Sequence, residues 1–202
     1  MKRTAIIVAS VVWILGAIAA AQESRSEISL QGIGFFTSNT NNANINRNVN
    51  DTGGLLLGYR YHLNRWLAAE GNYGFARDTQ DFTTPNGAFG GKVDIHQMTG
   101  DLVFKLPAVA RLKMSPYALA GGGALMFYPS SSEFNTNPLV GNQTRGAFLY
   151  GAGANFPMTK HLSLRAEYRG FLYNTPHYGL GILQPATLTH TAQPSLGIAY
   201  RF

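Results

Sequence analysis

Within the 202-residue chain, His161, Ser163 and Glu167 are the side chains whose types come nearest to covalent chemistry. A histidine beside a serine, with an acid beyond, is the set that activates a hydroxyl for acyl transfer. The spacing works against it. On an extended chain Ser163 and Glu167 stand roughly 13 Å apart, out of hydrogen-bond reach of each other. His62, His96, His177 and His190 are dispersed and lack the paired spacing of a metal site. The chain has no cysteine, which removes thiolate metal sites, thiol nucleophiles and disulfides. Gly121-Gly122-Gly123 has the composition of a phosphate cradle, but no Lys-Ser/Thr pair follows it. Within a strand such glycines relieve crowding instead. No catalytic residue, cofactor or metal ligand is expected.

The remaining chemistry is ionic. Arg60, Glu70, Asp101, Arg165, Glu167, Arg169 and Arg201 each sit inside otherwise uncharged, alternating sequence. Charged residues make up only 13% of the chain, about half the usual share. The net charge is +6, yet no run of Lys or Arg occurs after residue 3. That scatter excludes a nucleic-acid surface. Arg60 and Glu70 lie almost equidistant from Asn64-Arg65, so a turn there makes them cross-strand neighbours.

Strands must position these charges. In 192–202 Ala192, Pro194, Leu196, Ile198, Tyr200 and Phe202 form one wholly apolar face, opposite Gln193, Ser195, Gly197, Ala199 and Arg201. A period of two is the mark of a pleated strand. Residues 161–173 repeat it, with Leu162, Leu164, Ala166, Tyr168 and Leu172 facing away from Ser163, Arg165, Glu167 and Arg169. So do 55–63 and 67–75. Less regular members fall at 27–37, 92–104, 114–127 and 146–157. Alternation is poor around residues 93–96, where a bulge is expected.

Eight strands leave three short connections, at Asn64-Arg65, 106–113 and Thr159-Lys160. The four long polar connections are 38–51, 78–91, 128–145 and 174–189. None of the nine prolines falls at a strand centre on this map, as a residue without an N–H requires. The segments run to about 10–13 residues, beyond the ~5–6 of soluble strands and near the ~9–11 needed to cross a bilayer. Tyr61, Trp66, Phe75, Phe104, Phe127, Phe148, Phe156, Tyr200 and Phe202 gather toward strand ends on the apolar face, as membrane girdles do. Hydrocarbon cannot hydrogen-bond a free amide, so strands within it must close on themselves. Lys2-Arg3, the uncharged stretch 4–21 ending Ala19-Ala20-Ala21, and polar Gln22-Glu23 read as a signal peptide cleaved after Ala21. Residues 22–202 then form a single domain.

The closing sequence Ser195-Leu-Gly-Ile-Ala-Tyr-Arg-Phe202, with Tyr200 and Phe202 at alternate positions, resembles the terminal assembly signal of outer-membrane proteins. Together with Tyr150-Gly-Ala-Gly-Ala154 and Leu162-Ser-Leu-Arg-Ala-Glu-Tyr-Arg169, the chain is similar to the small OmpA-type and opacity-type barrel domains. The resemblance implies an all-β, eight-stranded antiparallel up-and-down barrel in the outer membrane of a Gram-negative-type bacterium. It also implies outer-membrane lipids and the barrel-assembly machinery as partners, with an extracellular ligand for the long loops. No peptidoglycan-binding module is expected after Phe202. His161-x-Ser163 also resembles the spacing in outer-membrane lipid A deacylases, but that family continues with Asn where this chain has Leu164. An eight-stranded lumen is just wide enough for side chains to fill. The seven charges are therefore expected inside as one paired plug rather than a gate. The function expected is structural or surface-interacting, ahead of lipid modification or a narrow gated channel.

Overall fold

A strand with one apolar and one polar face has to hide one of them, and eight such strands do so here by wrapping into a cylinder. The computed structural model describes residues 25–37, 40–42, 45–49, 52–84, 87–109, 111, 113–129, 142–174 and 188–202. Its strands are β1 (Ser26–Thr37), β2 (Thr40–Asn42), β3 (Ile45–Val49), β4 (Thr52–His62), β5 (Leu67–Thr84), β6 (Gly87–Lys105), β7 (Ser115–Pro129), β8 (Gln143–Pro157), β9 (Leu162–Asn174) and β10 (Leu188–Arg201). β1 and β4 to β10 are the staves, every neighbouring pair antiparallel. β1 pairs with β10 to close the ring, from Glu27↔Arg201 upward. The seam is tied at its foot: the Phe202 amide donates to the Ser26 carbonyl at 2.9 Å, and the Ser26 amide returns a bond at 3.2 Å. Among the described residues no helix is long and apolar enough to cross a membrane.

Two of the turns follow from single polar residues. Asn64 Oδ1 accepts from the Trp66 and Leu67 amides at 2.7 and 2.8 Å, closing β4 onto β5. Thr159 Oγ1 accepts from the His161 and Leu162 amides at 3.3 and 3.0 Å, closing β8 onto β9. Asn and Thr are turn formers because a short side chain can take over these backbone donors. The third, between β6 and β7, is longer and carries Lys113 at φ 47°.

Four features depart from expectation. First, 78–91 is not a loop. β5 and β6 run on as an unbroken ladder from Leu67↔Phe104 to Thr84↔Gly87. β3 pairs onto the projecting part of β5, and β2 onto β3, so much of 38–51 is strand as well. The sequence of 78–91 does not alternate, yet its Thr and Phe residues still favour extension. Second, no bulge interrupts 93–96: the β6 register is continuous on both sides. Third, Pro194 sits midway along β10. The ladder to β9 passes through it unbroken, while the ladder to β1 steps from Ile33↔Ser195 to Phe36↔Ala192. The missing N–H is thus on the β1 side, where the seam tolerates a gap. Fourth, Phe127 is no girdle residue; it points into the lumen and is buried. Residues 1–24, 130–141 and 175–187, which hold the expected leader and most of the last two loops, lie outside the described residues.

The outer face carries Leu30, Leu55, Leu57, Met98, Leu102, Leu164, Leu196 and Ile198, all exposed. Aromatic rings border this belt. At the loop end Tyr73, Phe75 and Tyr128 gather around His96, whose Nδ1 is 2.7 Å from the Tyr73 hydroxyl. His96 therefore faces outward, not into the lumen. At the turn end Tyr200 and Phe202 stack at 6.3 Å, both on the outer face. Polar-tipped rings at both borders of an apolar cylinder fit the two interfaces of a bilayer.

Candidate functional site

The inward positions are mainly polar toward the turn end and mainly apolar toward the loop end, where buried Thr189 and Thr191 of β10 are polar exceptions. Glu27 on β1, Arg60 on β4, Glu70 on β5, Asp101 on β6 and Arg165, Glu167 and Arg169 on β9 all point inward and are buried. Arg60 and Glu70 are register partners, and the Arg60 Nε donates to Glu70 Oε2. Arg60 also stands 3.5 Å from Glu167 and 4.0 Å from Glu27, and lies over the Tyr117 ring at 4.3 Å. Arg165 pairs with Glu27 through Nη2 and approaches Glu70 at 3.6 Å. Its Nε donates to Asn155 Oδ1 at 3.0 Å. Arg169 pairs with Glu167 through Nε, with Glu70 at 3.1 Å and with Asp101 at 3.8 Å. Tyr117 donates to Glu167 at 2.5 Å, and Asn72 to Asp101 at 3.2 Å.

Three arginines thus face four carboxylates in one connected cluster. Six of the seven charges singled out in the sequence meet there. The exception is Arg201, which lies at the turn-end mouth, joins no ion pair among the described residues and has an Nε without a hydrogen-bond partner. Parity put it on the inner face, but as the last residue of β10 it falls below the cluster. Glu27 takes the remaining place. Sequence reasoning passed over it because its strand opens with polar residues on both faces, Ser26 and Glu27.

Small residues make room for the cluster. A Cβ at Gly153 would meet the Tyr117 hydroxyl at 2.5 Å, and one at Gly121 would meet the Asp101 Cα at 2.6 Å. Gly121 and Gly123 are therefore strand-contact glycines, not a phosphate cradle.

Above the charges, Gln97 of β6 and Gln193 of β10 exchange amide bonds across the lumen at 3.3 and 2.9 Å. Above these, Leu56, Leu125, Leu149, Phe127 and Phe171 are buried to within 1% of complete. Phe171 stacks on Phe35 at 6.3 Å, and Phe127 packs beside Tyr173 at 6.1 Å. The same apolar layer includes Val93 and Ile95, which explains the poor alternation of β6: its inward face changes from polar to apolar partway along. The candidate acyl-transfer set does not converge. His161 Nδ1 donates to the Arg201 carbonyl at 3.1 Å, Ser163 to the Ala199 carbonyl at 3.4 Å, and Glu167 belongs to the ionic cluster.

Comparison with solved structures places this architecture among outer-membrane barrels. The outer membrane protein OprG of Pseudomonas aeruginosa superposes with a TM-score of 0.64 at 13% identity, over 90% of this chain and 97% of OprG. Ail, the attachment invasion locus protein of Yersinia pestis, solved with the heparin analogue sucrose octasulfate, gives 0.57 at 19% identity, over 90% of this chain and all (100%) of Ail. Neisserial surface protein A gives 0.57 at 11% identity, over 88% and 97% of the two chains. At such identities the likeness is one of fold. No curated protein matches the chain in sequence. The family model for the outer membrane protein beta-barrel domain, however, matches residues 6–202. With a ring of eight staves, a lipid-facing belt and a match over nearly its whole length, the chain belongs to the outer membrane protein beta-barrel domain family, whose place is the outer membrane of a Gram-negative-type envelope.

Proposed function

We propose that this barrel is a closed scaffold that presents its loop-end segments at the cell surface, conducts nothing through its lumen and performs no catalysis. The observation that carries the reading is the filling of the lumen by two unlike layers. Arg165 and Arg169 are fully buried (0% exposed) in the lower one, and Leu56, Leu125, Leu149 and Phe171 are equally buried in the upper. An ion would have to displace a bonded charge cluster and then cross an apolar plug, each at a cost of several kcal/mol. A passage built for polar solutes would not place both in series.

On this reading the exposed belt engages outer-membrane lipids, and Tyr200 and Phe202 are the residues read by the assembly machinery. The raised β2, β3, β5 and β6 strands, with the other long connections, then form the surface open to an extracellular ligand. That the fold neighbour Ail is an attachment invasion protein supports a surface role for such a scaffold. The separate bonding of His161, Ser163 and Glu167 supports the absence of acyl-transfer chemistry.

Planar-bilayer recordings of the purified protein test the closed lumen. A flat baseline is expected over the voltage range that the bilayer withstands. Discrete conductance steps, reproduced with independent preparations, would overturn the reading.

A further inference from the structure

The turn end of the barrel holds charge that the ionic cluster does not use. Below Arg60 the lumen opens into a cavity of about 310 Å³ whose wall includes Lys105, Arg201, Arg65, Lys160 and His62. Among the described residues Glu27 is its one carboxylate, and that group is already engaged by Arg165. Among the described residues none of Lys105, Arg201, Arg65 and Lys160 pairs with an acid. Two buried groups at the cavity also lack hydrogen-bond partners among the described residues. The His62 ring is 93% shielded, yet neither nitrogen finds one, the nearest carboxylate oxygen being Glu27 Oε2 at 3.8 Å. The buried Arg201 Nε is the second.

Like charges gathered around one cavity repel, and a buried donor without an acceptor costs about 1–3 kcal/mol. Both costs vanish when a group with several negative oxygens enters. A carboxylate brings one charge, whereas a phosphate monoester brings nearly two and three strong acceptors. We propose that this mouth is a binding site for a phosphate group reaching it from the periplasmic side. The cavity exceeds a bare phosphate in size, so it admits the group together with part of an attached organic body. The source is either a soluble phosphate monoester or the phosphomonoester head group of an inner-leaflet lipid.

The full mature barrel in phosphate-free maltoside micelles provides the test. In one arm inorganic phosphate and glycerol 3-phosphate are titrated at fixed ionic strength, with chloride as control, following ³¹P line broadening. In the other, phosphatidic acid, whose head group is a phosphate monoester, or uncharged diacylglycerol is mixed into the micelles. Saturable binding in either arm supports the site and identifies its source.

Lys105→Met with Arg201→Met is expected to weaken binding about a hundredfold, tenfold for each charge-assisted bond lost. Arg111→Gln with Lys113→Asn removes two charges from the same end but not from the cavity, and is expected to change binding by less than about twofold on the same scale. Heat-modified gel migration checks that both variants fold. Absence of saturable binding in both arms, or equal weakening by both variant pairs, would overturn the proposal and leave diffuse surface charge only.

Discussion

Arg169→Met is expected to lower the unfolding free energy of the barrel by about 3–5 kcal/mol, the cost of leaving a buried partner charge uncompensated. Arg169 is fully buried and holds Glu167, Glu70 and Asp101 together. Methionine keeps most of the side-chain volume, so a cavity would account for little of the loss. The carboxylates left behind would account for the rest. Urea unfolding in lipid vesicles, read by tryptophan fluorescence and by gel migration, measures it. Adding Glu167→Gln to Arg169→Met should return part of the stability, because one unpaired charge is removed with its partner. That positive coupling is the signature of contact rather than of two independent lesions. A loss below about 0.5 kcal/mol, typical of a surface substitution, would mean that water reaches the cluster.

Phe171→Ala is the second large effect, expected at about 3–5 kcal/mol from lost burial and the void it leaves. Its ring lies in the upper layer, register-paired with Leu149 and stacked on Phe35. The variant also separates the two layers of the seal. Gln97, Gln193 and the arginines below are untouched, so it should remain non-conducting in planar bilayers while unfolding at lower urea. Conductance in Phe171→Ala alone would show that the apolar layer is the whole barrier.

These two layers also mark how far the sequence could be read. Staves such as 162–173 and 192–202 were plain because each presents a clean apolar face to lipid, and the period of two survives whatever lies opposite. Arg60 and Glu70 were placed together by counting from a turn whose geometry one asparagine fixes. Depth was not legible. Parity sends Arg201 inward, but only the stagger of the closed barrel reveals that it sits at the mouth, with Glu27 filling the place in the cluster.

The composition of the lumen was hidden for a related reason. Binary reading assumes one environment per face, whereas the inner face here changes from ionic to apolar partway along β6 and β9. Val93, Ile95 and Phe127 therefore looked like a bulge and a girdle residue. The loop-end halves of β5 and β6 were missed because residues 78–91 lack the alternation that identifies a strand. Pro194 escaped notice because its missing donor lies at the seam, where the β1–β10 ladder gives way.

The solvent-excluded ionic core is open to one direct measurement: exchange of arginine Nε–H groups with water, by ¹⁵N–¹H NMR of the barrel in lipid nanodiscs transferred to deuterated buffer. Arg60 and Arg169 donate that proton to buried carboxylates, and Arg165, itself buried, donates its own to the half-buried Asn155. All three signals should persist for hours after exposed Arg65 has lost its own. Loss of all four within the dead time of the experiment would contradict a sealed lumen and the function argued from it.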